Sequence, residues 1–184
     1  MVGVFAMTKV LAIDTSTSRT CVAIIDGEKV LFNEYLAGAT AHGPSLPQLV
    51  KAALQVSDVD EVVVGMGPGP FTGLRVGIAF AQSFALAKNI SVRGVCSLDA
   101  IAAQVDSKDF IVTVDARRKE VYWARYTDGV RVGEPAVNFP ADVSGAKIHA
   151  DLFPDLTALV KLPGNIGQPL YLRRPDAVAT ADRK

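Results

Sequence analysis

A chain of 184 residues, 49% apolar and 21% charged, has the material for a packed core, which excludes a largely disordered polypeptide. Nineteen lysines and arginines balance nineteen aspartates and glutamates. The chain therefore lacks the basic field on which autonomous nucleic-acid binding draws. Cys21 and Cys96, the two cysteines, sit in or beside apolar stretches and read as buried, reduced thiols, and no Cys/His spacing suits zinc.

The opening MVGVFAM has no basic n-region and runs straight into a strand-like segment, a poor match to a signal peptide. No apolar run is long enough to span a bilayer. The expectation is a cytoplasmic protein with no membrane contact, for which either Met1 or Met7 is the true start. Lys9 to Ile13 is a β-type run closing at Asp14, followed by Thr20 to Ile25 and Lys29 to Tyr35. Asp26-Gly27 between the last two predicts a tight hairpin. Pro44 to Val56 carries Leu46, Leu49, Val50, Ala53 and Leu54 at helical spacing. Glu61 to Met66 reads as a strand buried on both faces. A glycine-proline turn then leads to a helix over Thr72 to Lys88, with Thr72 placed as its N-cap. A short strand (Val92 to Val95) and a helix (Ser97 to Gln104) complete the first half.

The second half opens in the same way. VLAIDTSTSRTCVAIIDGEKV from Val10 matches FIVTVDARRKEVYWARYTDGVRV from Phe110, with Asp14 and Asp115 101 positions apart and the two Asp-Gly turns 102 apart. Such a repeat predicts two duplicated lobes, 1–107 and 108–184. The second is reduced: after Asn138 only a brief helix (Leu156 to Val160) and a brief strand (Leu170 to Arg173) are legible. The expected fold is α/β and resembles the actin-like ATPase superfamily, in which nucleotide sits between the lobes; fold alone does not fix function.

The loops that carry chemistry in such a fold are weak here. Close approach of backbone to phosphate favours glycine, yet neither Asp14-Thr15-Ser16-Thr17-Ser18 nor Asp115-Ala116-Arg117-Arg118 contains one. Asp14, Thr15 and Ser16 are candidates for a residual phosphate or metal-water site. The alternative is that Asp14 and Asp115 tie down their own loops through backbone amides. Gly67 and Gly69, in the turn before the second long helix, are candidate anion contacts through its amides. The turn is neither a Walker loop nor a dinucleotide fingerprint.

Gly73, Gly77, Ala81 and Ala85 recur every four residues and form a small-residue stripe. Together with Leu46, Leu49 and Val50 they are the candidate partner interface, the chain's own sheet being the alternative neighbour of the stripe. His42 and His149 lack companions for a metal site, and His42 reads as a cap or an exposed residue. No nucleophile elbow or triad is legible, so no catalytic residue is assigned. Arg117-Arg118-Lys119 and Arg173-Arg174 are small basic clusters, read as solvated loop ends or as contacts to RNA or an acidic partner.

KVLAIDTST, GMGPGPFTGLRVGIAFAQSFA, SLDAIA, VDARRKEVYWA and PLYLR, in that order, resemble the TsaB (YeaZ) family, from about Lys9 to Arg173. The resemblance implies an actin-like protein that is itself inactive and requires no cofactor. It implies pairing with the paralogue TsaD, which transfers threonylcarbamoyl to the adenosine beside the anticodon of ANN-decoding tRNAs. It further implies assembly with TsaE, tRNA contact through the complex, and a metal and ATP or ADP that belong to TsaD and TsaE. Pairing with TsaD, or with a second copy of the chain, would use the helices Pro44–Val56 and Thr72–Lys88. Catalytic relatives carry two metal-binding histidines four residues apart on the first long helix, whereas here Leu46 follows His42 at that spacing. Pro70 stands where the family usually has serine, which removes a backbone donor. The rival expectation is an independent ATP-dependent phosphotransferase or hydrolase.

Overall fold

The computed structural model describes residues 8–38, 40–164 and 166–173. Three strands, β1 (Lys9–Asp14), β2 (Arg19–Asp26) and β3 (Lys29–Ala37), form an antiparallel meander. The β2–β3 hairpin turns at Gly27, whose φ of 59° is left-handed and favours glycine. Helix α1 (His42–Leu54) leads to β4 (Glu61–Gly65), which pairs parallel with β1, and α2 (Phe71–Lys88) leads to β5 (Ser91–Val95), parallel to β4. The sheet order is β3-β2-β1-β4-β5. Helix α3 (Ser97–Ala102) follows.

The second half repeats the plan with β6 (Asp109–Asp115), β7 (Val121–Thr127), β8 (Val130–Asn138), β9 (Lys147–His149) and α4 (Leu156–Lys161), in the sheet order β8-β7-β6-β9. The counterpart of α1 has shrunk to a single 3-10 turn, Pro140–Asp142, and the counterpart of α2 to the six residues of α4. The duplication is real, and the second copy is reduced.

Period-two alternation explains how the first sheet is buried on both sides. Leu11, Ile13, Val22, Ile24, Val62 and Val64 face α1 and α2, against Leu46, Leu49, Val50 and Leu74. Burying each such leucine contributes about 1.5–3 kcal/mol. Val10, Ala12, Ala23, Ile25 and Val63 face the other way and are covered by Leu156 and Leu159 of α4. A third cluster joins the lobes, with Leu98 and Ile101 of α3 packed on Phe110, Val112 and Tyr126 of the second sheet. The first sheet takes β1 to β5 and the second β6 to β9, while α4 packs on the first.

Three local expectations are corrected. Thr72 lies inside α2 and is exposed; the N-cap position is Pro70, with no side-chain cap. Leu170–Arg173 forms no strand: Leu170 donates its N–H to Met66 O at 2.9 Å and the segment joins no ladder. Strand β9, parallel to β6, lies where no pattern was legible. Helix α2 stops at Asn89, which adopts φ 55° while Ile90 N–H bonds back to Ala85 O at 3.0 Å.

Candidate functional site at the lobe junction

Asp14 ends β1, fully buried, at the point where a phosphate loop would begin. Its Oδ1 accepts from Ser16 N–H at 2.8 Å and from Ser16 Oγ at 2.7 Å. Its Oδ2 accepts from Ser97 Oγ, at the start of α3, at 2.6 Å. Ser97 in turn accepts from Gly67 N–H at 3.2 Å and donates its own N–H to Gly67 O at 2.8 Å. Burial pushes the Asp14 carboxyl above its ordinary value, opposed by the hydrogen bonds from Ser97 and Ser16.

Thr15 Oγ1 donates to Gly73 O at 2.8 Å. Gly69 presses on the Ser16 backbone so closely that a Cβ would lie 2.5 Å from Ser16 O. Asp14, Thr15, Ser16, Gly67 and Gly69, the candidate phosphate residues, are therefore brought together but bonded or packed against one another. In this structure Asp14 is engaged with Ser16 and Ser97, and Thr15 with Gly73. Asp115 closes its loop in the same way, accepting from Arg117 N–H at 2.8 Å.

The expected interface residues also require correction. Leu46, Leu49, Val50, Gly73, Gly77, Ala81 and Ala85 are all buried inside the chain. The small-residue stripe accommodates the β1–β2 loop and α1, not a partner: a Cβ on Gly77 would lie 2.3 Å from Thr15 Oγ1, and one on Gly73 would lie 2.7 Å from Thr15 O. On α2 the half-buried Val76, Phe80 and Phe84 also pack against the core, while Ala52 of α1 and Ala79, Leu86 and Ala87 of α2 are exposed.

His42, expected at the surface or as a cap, is only 4% exposed. Its Nδ1 lies 2.8 Å from Thr20 Oγ1, and burial lowers its pKa while the nearby Asp14 charge raises it. A signal for this was present, since His42 begins the buried stripe that continues through Ser45, Leu46, Leu49, Val50 and Ala53. His149 meets the Phe110 ring edge-on, with centroids 5.7 Å apart. Both thiols are buried and pushed up to about 12, as desolvation dictates.

Between the lobes lies a cleft of about 150 Å³, lined by Thr17, Ser18, Thr113, Asp115, Arg117 and Phe153 among others. Sites for drug-sized ligands run to about 300–1,000 Å³. At the cleft's side the Arg19 guanidinium lies 3.5 Å from the Phe153 ring centroid and 4.1 Å from that of Tyr35. Arg117, Arg118 and Lys119 all take left-handed φ values (66°, 54° and 65°) at the β6–β7 tip. Arg117 and Arg173 are held by Asp115 and Glu120, and Arg174 lies outside the described residues. No described group of three or more His, Cys, Asp or Glu residues is arranged to hold a metal, and no described helix is long and apolar enough to cross a membrane.

Two sheets that share one order over four strands, the first with β5 added at its edge, define an α/β protein of the actin-like ATPase fold. Residues 39–155 match the family model described as TsaD, tRNA N6-adenosine threonylcarbamoyltransferase. An uncharacterised protein of Mycobacterium tuberculosis is 45% identical, over 91% of this chain and 93% of that one. The tRNA threonylcarbamoyladenosine biosynthesis protein TsaB of Haemophilus influenzae is 36% identical, over 62% of this chain and 52% of its own length. The solved structure of YeaZ from Pseudomonas aeruginosa superposes with a TM-score of 0.71 at 25% identity, covering 84% of this chain and 90% of that one. The chain belongs to the TsaB (YeaZ) family.

Proposed function

We propose that the chain serves tRNA threonylcarbamoyladenosine biosynthesis as a non-catalytic partner of TsaD. Membership of the TsaB family supports the process. The observation that carries the non-catalytic role is the closed network around Asp14, in which Ser16 and Ser97 occupy both carboxylate oxygens. A group so engaged, beside a cleft of about 150 Å³, is poorly placed to hold nucleotide or metal. On this reading the chain needs no cofactor of its own, and ATP and metal stay with TsaD and TsaE.

The docking face is the outward side of α1 and α2. Val76 and Phe80 keep part of their apolar surface open on α2, and Ala52 of α1 and Ala87 of α2 are exposed. In the absence of TsaD the same face pairs two copies of the chain. TsaE and tRNA are reached through the assembled complex.

The test is co-elution with TsaD from the same organism. Ala52→Arg combined with Ala87→Arg, both at exposed positions, is expected to abolish co-elution while leaving the thermal transition in place. Gly77→Leu is unsuitable, because Thr15 already fills that space. Unchanged co-elution of the double variant, or ATP hydrolysis by the purified chain alone, would overturn the proposal.

A further inference from the structure

Each sheet has two edge strands, and three of the four edges are blunted. Strand β8 carries Gly133 at φ 78° and Pro135, which has no N–H to offer a neighbour. Strand β9 is three residues long, and the edge of β5 is used by Ile166, whose N–H bonds to Gly94 O at 2.7 Å. Strand β3 differs. From Phe32 to Ala37 it pairs with β2 in unbroken register and contains neither glycine nor proline. No described strand pairs with its outer side. Such an edge is a template for a further strand.

This edge borders a pocket of about 510 Å³. Asn33, Glu34 and Tyr35 line it in succession. Neighbouring side chains of a strand point to opposite faces, so it is the edge of β3 that meets the pocket. Arg19, Asp151 and Phe153 are among the other walls. Arg19 is held by two rings, 3.5 Å from the Phe153 centroid and 4.1 Å from that of Tyr35. Arg93, Arg117, Arg125, Arg131 and Arg173 each sit against a carboxylate, whereas Arg19 has none within ion-pair range among the described residues. Rings engage the faces of its guanidinium, which leaves the donors on its rim for an acceptor in the pocket. A planar fork of this kind matches a carboxylate. The exposed Glu34 and Asp151 disfavour a second anion there and suit a cationic side chain.

We propose that β3 receives the C-terminal tail of a partner protein as an added strand, with the tail's terminal carboxylate on Arg19 and a basic side chain towards Glu34 and Asp151. Backbone pairing along Phe32–Ala37 supplies a grip that does not depend on sequence, and the Arg19 fork fixes where the tail ends. The site lies on β3 and does not depend on the α1–α2 docking face.

The test titrates the full chain, without TsaD, with the pentapeptide acetyl-Thr-Val-Thr-Lys-Val, read by amide NMR and calorimetry. Saturable binding is expected, with shifts concentrated at residues 32–37. The C-terminal amide of the same peptide should bind at least tenfold more weakly, and so should a version N-methylated along its backbone. Arg19→Gln should bring acid and amide to within twofold of each other, while Arg75→Gln leaves their difference intact. The modified peptides probe the unaltered protein, so the result does not hinge on the stability of the Arg19 variant. No saturable binding, equal affinity for acid and amide, or shifts confined to α1 and α2 would overturn the proposal.

Discussion

Ser97 Oγ lies 2.6 Å from Asp14 Oδ2, although 83 positions separate the two residues in sequence. The hydroxyl ties the first turn of α3 to the end of β1, and through Gly67 N–H it also holds the turn before α2. Three elements that flank the nucleotide cleft in an actin-like fold therefore close on one buried carboxylate. Room is made for it at Gly65, where a Cβ would overlap Asp14 Oδ2.

This network makes stability depend on pH through His42 and Asp14, with opposite signs. Burial holds the folded pKa of His42 below its ordinary 6.5, so its contribution is present above that value and is lost as pH falls through the folded value. Asp14 is shifted upward, so its contribution is complete below its ordinary 3.8 and lost as pH rises through the raised value. The urea midpoint is expected to drop between about pH 7.5 and about pH 5.5. His42→Gln should flatten that drop. An equally steep drop in the variant would exclude His42 as its source.

The contact between Gly77 and Thr15 predicts a coupled pair. Gly77→Ala adds a methyl where Thr15 Oγ1 stands 2.3 Å away and should destabilise by about 1–3 kcal/mol. Thr15→Ala removes that oxygen at the expense of its bond to Gly73 O. The double variant should lie closer to wild type than the sum of the singles, with a coupling of about 1 kcal/mol in chemical denaturation. Strict additivity would place the two residues out of contact.

Asp99 on α3 ties the lobes together. It accepts from Tyr126 Oη at 2.8 Å and from Arg131 Nη1 at 2.9 and 3.0 Å. Asp99→Ala strands the buried Tyr126 hydroxyl and should cost about 1–3 kcal/mol, with faster amide exchange in the β7–β8 hairpin. Asp99→Asn, which keeps an acceptor, should recover part of the loss. Exchange unchanged in the alanine variant would show that the apolar cluster alone holds α3.

Much of the fold was legible because it follows local periodicities. The first three strands, both long helices and the repeated Asp-Gly turns all announce themselves in pattern and turn chemistry. Strand β9 did not, since three residues flanked by loops carry no period and their pairing with β6 is a tertiary choice. The site was half legible. Sequence brought Asp14, Thr15, Ser16, Gly67 and Gly69 forward as a group, and they do converge. Sequence could not say that Ser97, far along the chain, would occupy the carboxylate. The Gly73/Gly77 stripe signalled close approach correctly; periodicity names the face but not the neighbour, which is the loop at Thr15. His42 shows the same limit, because a polar residue at the first position of an apolar stripe reads as an end cap until its partner Thr20 is seen.

Helix α4 has a consequence for anyone who would divide this chain. Leu156 and Leu159 lie against Val10, Ala12, Ala23, Ile25 and Val63, while Arg93 reaches from β5 to the carbonyls of Val160 and Leu162. An N-terminal fragment ending before β6 would carry every strand of the first sheet yet leave one of its faces bare to water. Such a fragment would be sticky and poorly folded, so the two halves, though born as copies, can no longer live apart.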